Sequence, residues 1–402
     1  MGSSHLFAYG VLSHEELIDI SWDSDIKPTL LKRFPTATED ELKQAHAYAY
    51  GGSVIQDIGY YPFGSHEFTN YLHYVRSGDF VAVMLREARN VNEFAFALGA
   101  LGHYAADTWG HPAVNAGVAA VYPNLRAKYG PIVTYEDDHN AHLETEFSFD
   151  VVQVAKRRYV SKQYHDFIGF KVPEALLERS FVNTYGIKSD ELLRLDDLAI
   201  ETYRFGVSRV IPEMTQVAIA SRKINVPYEK NDKARQQFIY HLSRAEYENN
   251  FGSNYRHPGV FARILGFMLG HLIPKFGPFK ALSFKDPTPQ TEDMYFKSMD
   301  DVVTQFHRLV RQVKGGDFKI PNRNLDTGEL TRAGQYRLAD QAYGDLVSRL
   351  AKKHFANLTP DLKSSIVAYF ASGSVGHDWK RRKWKETERD LSKLKEVEPL
   401  VP

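Results

Sequence analysis

Apolar residues recur along this chain at a spacing of three to four. Val302, Val303, Phe306, Leu309, Val310 and Val313 form one such series, and Leu346, Val347, Leu350 and Phe355 repeat it after Gly344. That period lays an apolar stripe along one side of an α-helix. Strict alternation of apolar and polar residues, the mark of a half-buried strand, is scarce. Helix starts are written chemically. Thr38, followed three residues later by Glu41, makes a capping box, and Thr359-Pro360 supplies an N-cap and a first-turn proline before LKSSIVAYF. Breaks are expected at Gly51-Gly52, from Pro62 to Gly64, at Tyr122-Pro123 and at Gly315-Gly316. The chain therefore reads as all-α and multi-helical, without an internal repeat or a low-complexity tract.

At 402 residues the chain is long for one domain. A shift in composition over INVPYEKNDKAR, residues 224–235, predicts a helical domain over 9–225 and a helical C-terminal region over 226–402. The most apolar stretch is Val260–Phe284, broken by Pro274 and Pro278 and punctuated by Arg263, Lys275 and Lys280. It reads first as a buried helical hairpin and second as a peripheral membrane contact. KRRKWKETERDLSKLKEVE, near the C-terminus, reads as a solvated charged helix. No run of 18 apolar residues occurs, so no spanning helix is predicted.

Composition narrows the chemistry. Lys plus Arg balance Asp plus Glu at 50 each, which removes the bulk attraction of a dedicated nucleic-acid binder, and no stable nucleic-acid complex is expected. With no cysteine, a metal has to be held by His, Asp, Glu or backbone groups. The start, MGSSHLFAYG, lacks the basic and apolar regions of an intact signal peptide. Leu6-Phe7-Ala8 reads either as the tail of one, with a secreted or periplasmic protein as the consequence, or as a vector-derived start.

Candidate ligands are concentrated near the beginning: nine of the sixteen histidines lie in residues 1–146. In LGHYAADTWGHP, Leu101–Pro112, His103, Asp107 and His111 stand at successive i, i+4 positions and share one helical face. Burying two imidazoles and a carboxylate without a partner is costly, whereas together they suit a divalent cation such as zinc. His142 and Glu146 repeat the i, i+4 pairing in AHLETEF. Asp57 follows an apolar run and precedes a turn, His73 sits on an amphipathic segment, and His14 opens a helix. His66 and His139 are rivals for places in the set, and His66 competes with His73. The expectation is a multinuclear metal site.

In this order, Tyr9-Gly10 before His14, then Asp57, His73, HYAAD, GHP and HLETE, the chain resembles the zinc-dependent phospholipase C and S1/P1 nuclease superfamily, and the bacterial phospholipase C branch more closely. The resemblance covers residues 9–150 by motif. It implies a helical domain around two to three zinc ions. One would take Asp57, His73, His103 and Asp107; a second His111, His142 and Glu146. A third would take His14, the bridging Asp107, and the amine and carbonyl of a mature N-terminal residue, which counting places at Tyr9. Tryptophan is usual there, and eight residues precede Tyr9 as written. Asp107 and His111 are four apart where the family usually has six, so the turn into the second group is expected to be rebuilt.

The implied reaction is phosphodiester hydrolysis, with Asp57 and Asp107 as the catalytic carboxylates and Asp57 orienting or deprotonating the attacking water. Tyr60, Tyr61, Phe63 and Trp109 flank ligands in sequence and are candidates to line a head-group or base pocket. The substrate expected is a glycerophospholipid. The alternatives are a single-strand nuclease, which would stack a base on an aromatic ring, and a non-catalytic zinc protein of the membrane surface.

Overall fold

The computed structural model describes residues 10–61, 63–155, 170–193, 199–201, 285, 287–375 and 381–400. Tyr9, Pro62, the boundary at 224–235 and the Val260–Phe284 segment lie outside these residues.

Among the described residues the architecture is helical, and the only β feature is an isolated antiparallel bridge between Arg323 and Leu330. Helices α1 (Val11–Ser21), α2 (Lys27–Arg33) and α3 (Glu39–Val54) come first, with a π-helical turn, Trp22–Ile26, between α1 and α2. A 3-10 turn, Ile55–Tyr60, leads to α4 (His66–Tyr74) and α5 (Ser77–Glu87). Then follow the long α6 (Val91–Val121), α7 (Pro123–Tyr129), α8 (His139–Ala155) and α9 (Glu174–Tyr185). After residue 285 come α10 (Pro289–Gly315), α11 (Arg337–Lys352), α12 (Pro360–Ala371) and α13 (Arg381–Glu396). No helix among the described residues is long and apolar enough to cross a membrane.

The predicted caps are present. Thr38 Oγ1 accepts the N–H of Glu41 while the Glu41 carboxylate accepts the N–H of Thr38, and Thr359 accepts the N–H of Leu362. Gly316, with φ of 86°, ends α10 in the left-handed region as a C-terminal glycine should. Three local readings change. Gly51 and Gly52 lie inside α3 and do not end it. They serve close packing: a Cβ on Gly52 would come within 2.0 Å of the Phe96 carbonyl oxygen, and one on Gly99 within 2.0 Å of that of Ala49. Helices α3 and α6 therefore touch backbone to backbone. Helix α11 begins well before Gly344 and closes before Phe355, whose φ is 57°. The charged C-terminal helix α13 is not wholly solvated, because Thr387, Leu391 and Leu394 are buried.

Helix α6 is the axis of the molecule. It is rich in Ala, Gly and Leu and is buried along most of its length. It packs most extensively on α3 and next on α10. The spacing of four between Asp107 and His111 needs no rebuilt turn, since α6 runs uninterrupted through both and onward past Pro112. Proline lacks an N–H, so the carbonyl of Thr108 loses its intrahelical donor. Gly328 approaches that carbonyl so closely that a Cβ would lie 2.2 Å from its oxygen, and its φ of 73° also favours glycine. The apolar stripe of α10, with Met299, Val302 and Phe306 at 0% exposure, joins the same core as Leu17, Leu98 and Phe68.

Candidate metal centre

Five elements deliver eight side chains to one place. Helix α1 carries His14, the 3-10 turn Asp57, α4 His73, α6 His103, Asp107 and His111, and α8 His142 and Glu146. All are essentially excluded from solvent. His103 Nε2 lies 2.9 Å from Asp107 Oδ2, and His73 Nε2 lies 3.4 Å from the same oxygen and 3.3 Å from Asp57 Oδ1. His14 Nε2 is 3.4 Å and His111 Nε2 3.7 Å from Asp107 Oδ1. Glu146 Oε1 is 3.3 Å from His111 Nε2 and 2.8 Å from His142 Nε2. The two oxygens of Asp107 thus face different sets of imidazoles.

Three groups have ligand atoms within 4.8 Å of one another: His14 with His103 and Asp107, Asp57 with His73 and His103, and His111 with His142 and Glu146. His66, the rival to His73, is exposed at the start of α4, and His139 packs its ring on Tyr135 with centroids 4.2 Å apart. Neither belongs to these groups. Tyr9 falls outside the described residues.

Outward-facing nitrogens are held by main-chain carbonyls. Nδ1 of His73 bonds the Thr69 carbonyl at 3.0 Å, that of His103 the Ser53 carbonyl at 2.9 Å, and that of His111 the Leu325 carbonyl at 2.7 Å. A proton on Nδ1 leaves Nε2 with its lone pair pointing inward, which is how a metal-binding histidine is prepared.

The interior of this arrangement is short of partners. Both carboxylate oxygens of Asp57, Asp107 and Glu146, and Nε2 of His73 and His103, make no hydrogen bond among the described residues although all are buried. Three buried carboxylates demand positive charge. Without metal, protons supply it. Burial opposes charge on His111, but Asp107 and Glu146 outweigh it and pull the ring up to about 9. Burial is likewise outweighed at His73, which Asp107 and Asp57 raise well above the usual histidine range. His14 moves the other way, lowered first by burial and then by His103, whose ring stacks on it at 4.4 Å. Asp107 and Glu146 are both depressed, since the facing imidazoles overcome the effect of burial. Inward lone pairs from nitrogen and oxygen, unpartnered carboxylates and the absence of sulfur fit zinc or a similar divalent cation.

The four aromatic candidates separate. Tyr60 is buried against His73, with ring centroids 6.4 Å apart, and lies 5.9 Å from Tyr135. Tyr61 is buried in the core. Phe63 is 56% exposed. Trp109 packs edge-on to Tyr104 at 6.3 Å and lies under Arg323 at 5.9 Å. Sequence reasoning missed Tyr135, whose ring is 5.7 Å from that of His142, and Asp326, buried on the loop after α10. Asp326 sits in NRNLDTG, which reads from sequence only as a turn.

Compared with known families, residues 13–190 match the model described as zinc dependent phospholipase C. No curated protein and no solved structure matches the chain. All eight side chains of the centre lie within the matched residues, so the part of the chain that builds the centre, residues 13–190, is the part that is similar to the zinc-dependent phospholipase C family.

Proposed function

We propose that this protein is a zinc-dependent phosphodiester hydrolase, a phospholipase C that releases the phosphorylated head group of a glycerophospholipid. The observation that carries the reading is Asp107, whose two oxygens face separate histidine sets in one buried centre. A carboxylate that offers its two oxygens to separate imidazole sets would suit adjacent cations and is seldom needed to hold one structural ion. Zinc bound there supplies Lewis acidity and a water acidified towards a pKa of about 7.

The residues divide the remaining work. Asp57, at the edge of the group with His73 and His103, orients the attacking water and takes its proton. Water adds to phosphorus, the bond to the glycerol oxygen breaks, and that oxygen leaves with a proton as diacylglycerol. Tyr60 lines the site beside His73. His14 and Asp107 would hold a third ion, completed by the α-amine and carbonyl of a chain that begins at Tyr9. A free amine, with a pKa near about 8, can bind metal, whereas a mid-chain amide cannot at neutral pH. Action on lipid from outside the cell follows as part of the proposal.

Elemental analysis of dialysed protein tests the metals, and at least two zinc ions per chain are expected. One or none, with no activity restored by zinc, ends the multinuclear reading. Turnover measured side by side on phosphatidylcholine, single-stranded DNA and a chromogenic phosphodiester tests the substrate, with phosphatidylcholine expected to be cleaved fastest. Preference for DNA would make the protein a nuclease, and no turnover on any would leave a binding protein. Chains starting at Met1 and at Tyr9 differ by one zinc if the third site is real.

A further inference from the structure

The family match ends at residue 190, yet one loop far beyond it is bonded to the ligands. The Leu325 carbonyl accepts the Nδ1–H of His111 at 2.7 Å, and the Leu325 N–H donates to the carbonyl of His73 at 3.1 Å. Asp326 follows, only 2% exposed. Its Oδ2 accepts the hydroxyl of Tyr74 at 2.7 Å and that of Tyr336 at 2.5 Å, and its carbonyl accepts Nδ2–H of Asn115 at 2.8 Å. Tyr74 is the neighbour of His73, and Asn115 lies one turn beyond His111 on α6.

We propose that Leu325-Asp326 is a positioning clamp, supplied by the C-terminal region, on which zinc affinity at the His111–His142–Glu146 group depends. The reason lies in imidazole chemistry. A neutral ring carries one proton, and only when Nδ1 holds it is Nε2 free to bind metal. Of the ligand rings held by carbonyls, His73 and His103 are held from inside the matched region, through Thr69 and Ser53. His111 is held by the distant loop. Asp326 anchors that loop at three points, to α4, to α6 and to Tyr336. Loss of an anchor frees the Leu325 carbonyl, and the His111 ring with it.

The inference rests on the zinc reading of the centre and not on the identity of the lipid. Its test is zinc release from the full chain to a chelating indicator, followed for the wild type, Asp326→Ala, Asn115→Ala and Ile366→Ala. Ile366 is buried in α12 and serves as a control for simple loss of stability. Asp326→Ala and Asn115→Ala are expected to release one zinc equivalent about 10–100-fold more readily, with the other zinc retained as in the wild type. Asp326→Asn, which keeps an acceptor for the tyrosines, is expected to recover part of the loss. Nitrogen-15 NMR of labelled histidine is expected to show the His111 tautomer becoming mixed in Asn115→Ala. The clamp is refuted if Asn115→Ala holds all its zinc like the wild type, or if every ion loosens together as in a destabilised control. A wild type that binds no zinc would overturn the metal reading itself, and the clamp with it.

Discussion

Helix α10 buries Met299, Val302, Phe306, Leu309, Val310 and Val313 and turns its other side to solvent, while α6, packed against it, buries nearly everything it carries, including His103, Asp107, His111 and Asn115. Both interfaces exclude water, but they differ in energetic sign. Apolar area removed from water stabilises α10 by about 25 cal/mol per Å². The polar series on α6 costs free energy until a cation completes it. One stripe holds the protein together; the other is maintained for what it binds.

The comparison is most directly broken at Asp107. Asp107→Asn is expected to abolish phosphodiesterase activity and remove bound zinc, and with it most of the rise in melting temperature that zinc gives the wild type. Calorimetry with and without chelator measures this. An undiminished rise in the variant would mean that the polar stripe is not maintained for zinc.

Phe306→Ala tests the other stripe. Truncating this fully buried ring is expected to cost about 3–5 kcal/mol in denaturant unfolding, with unchanged zinc per folded chain. Loss of zinc without loss of stability would dissolve the distinction between the two helices.

Helix α8 sharpens the contrast within a single element. Glu146 is depressed because imidazoles outweigh its burial, whereas burial pushes Asp150, one turn later, up to about 8. Asp150 caps α1 all the same, accepting the N–H groups of Leu12 and Ser13 at 3.2 Å each. Unfolded, its carboxyl titrates near about 3.9. Folding therefore retains its proton between these values, and the stability this gives is complete below about pH 4 and lost as pH rises through about 8. Asp150→Asn should flatten the fall in melting temperature between pH 5 and pH 9. An unaltered slope would show that Asp150 is already ionised in the folded protein.

The smallest effect belongs to a helix end remote from the centre. Thr38→Ala removes the capping box of α3 and should cost about 1 kcal/mol, with activity intact.

Much of this protein is local and was legible as sequence. The period of three to four marks α10 and α11, Thr38 and Thr359 announce their helices, and i, i+4 spacing alone puts His103, Asp107 and His111 on one face. These features depend on bond geometry within a few residues, so the chain order carries them. Gly51-Gly52 misled for the opposite reason. Glycine ends a helix or lets another backbone approach, and only the presence of the Lys171 backbone against Gly51 and of Phe96 against Gly52 selects the second use. The tertiary structure also decided that His73 rather than His66 is buried among carboxylates, that Tyr60 rather than Phe63 meets a ligand ring, and that Asp326 lies under Tyr74. Those outcomes join residues as far as 252 positions apart. No local period records such a pairing; it arises when α6 gathers the other helices around a centre whose carboxylates require a common partner.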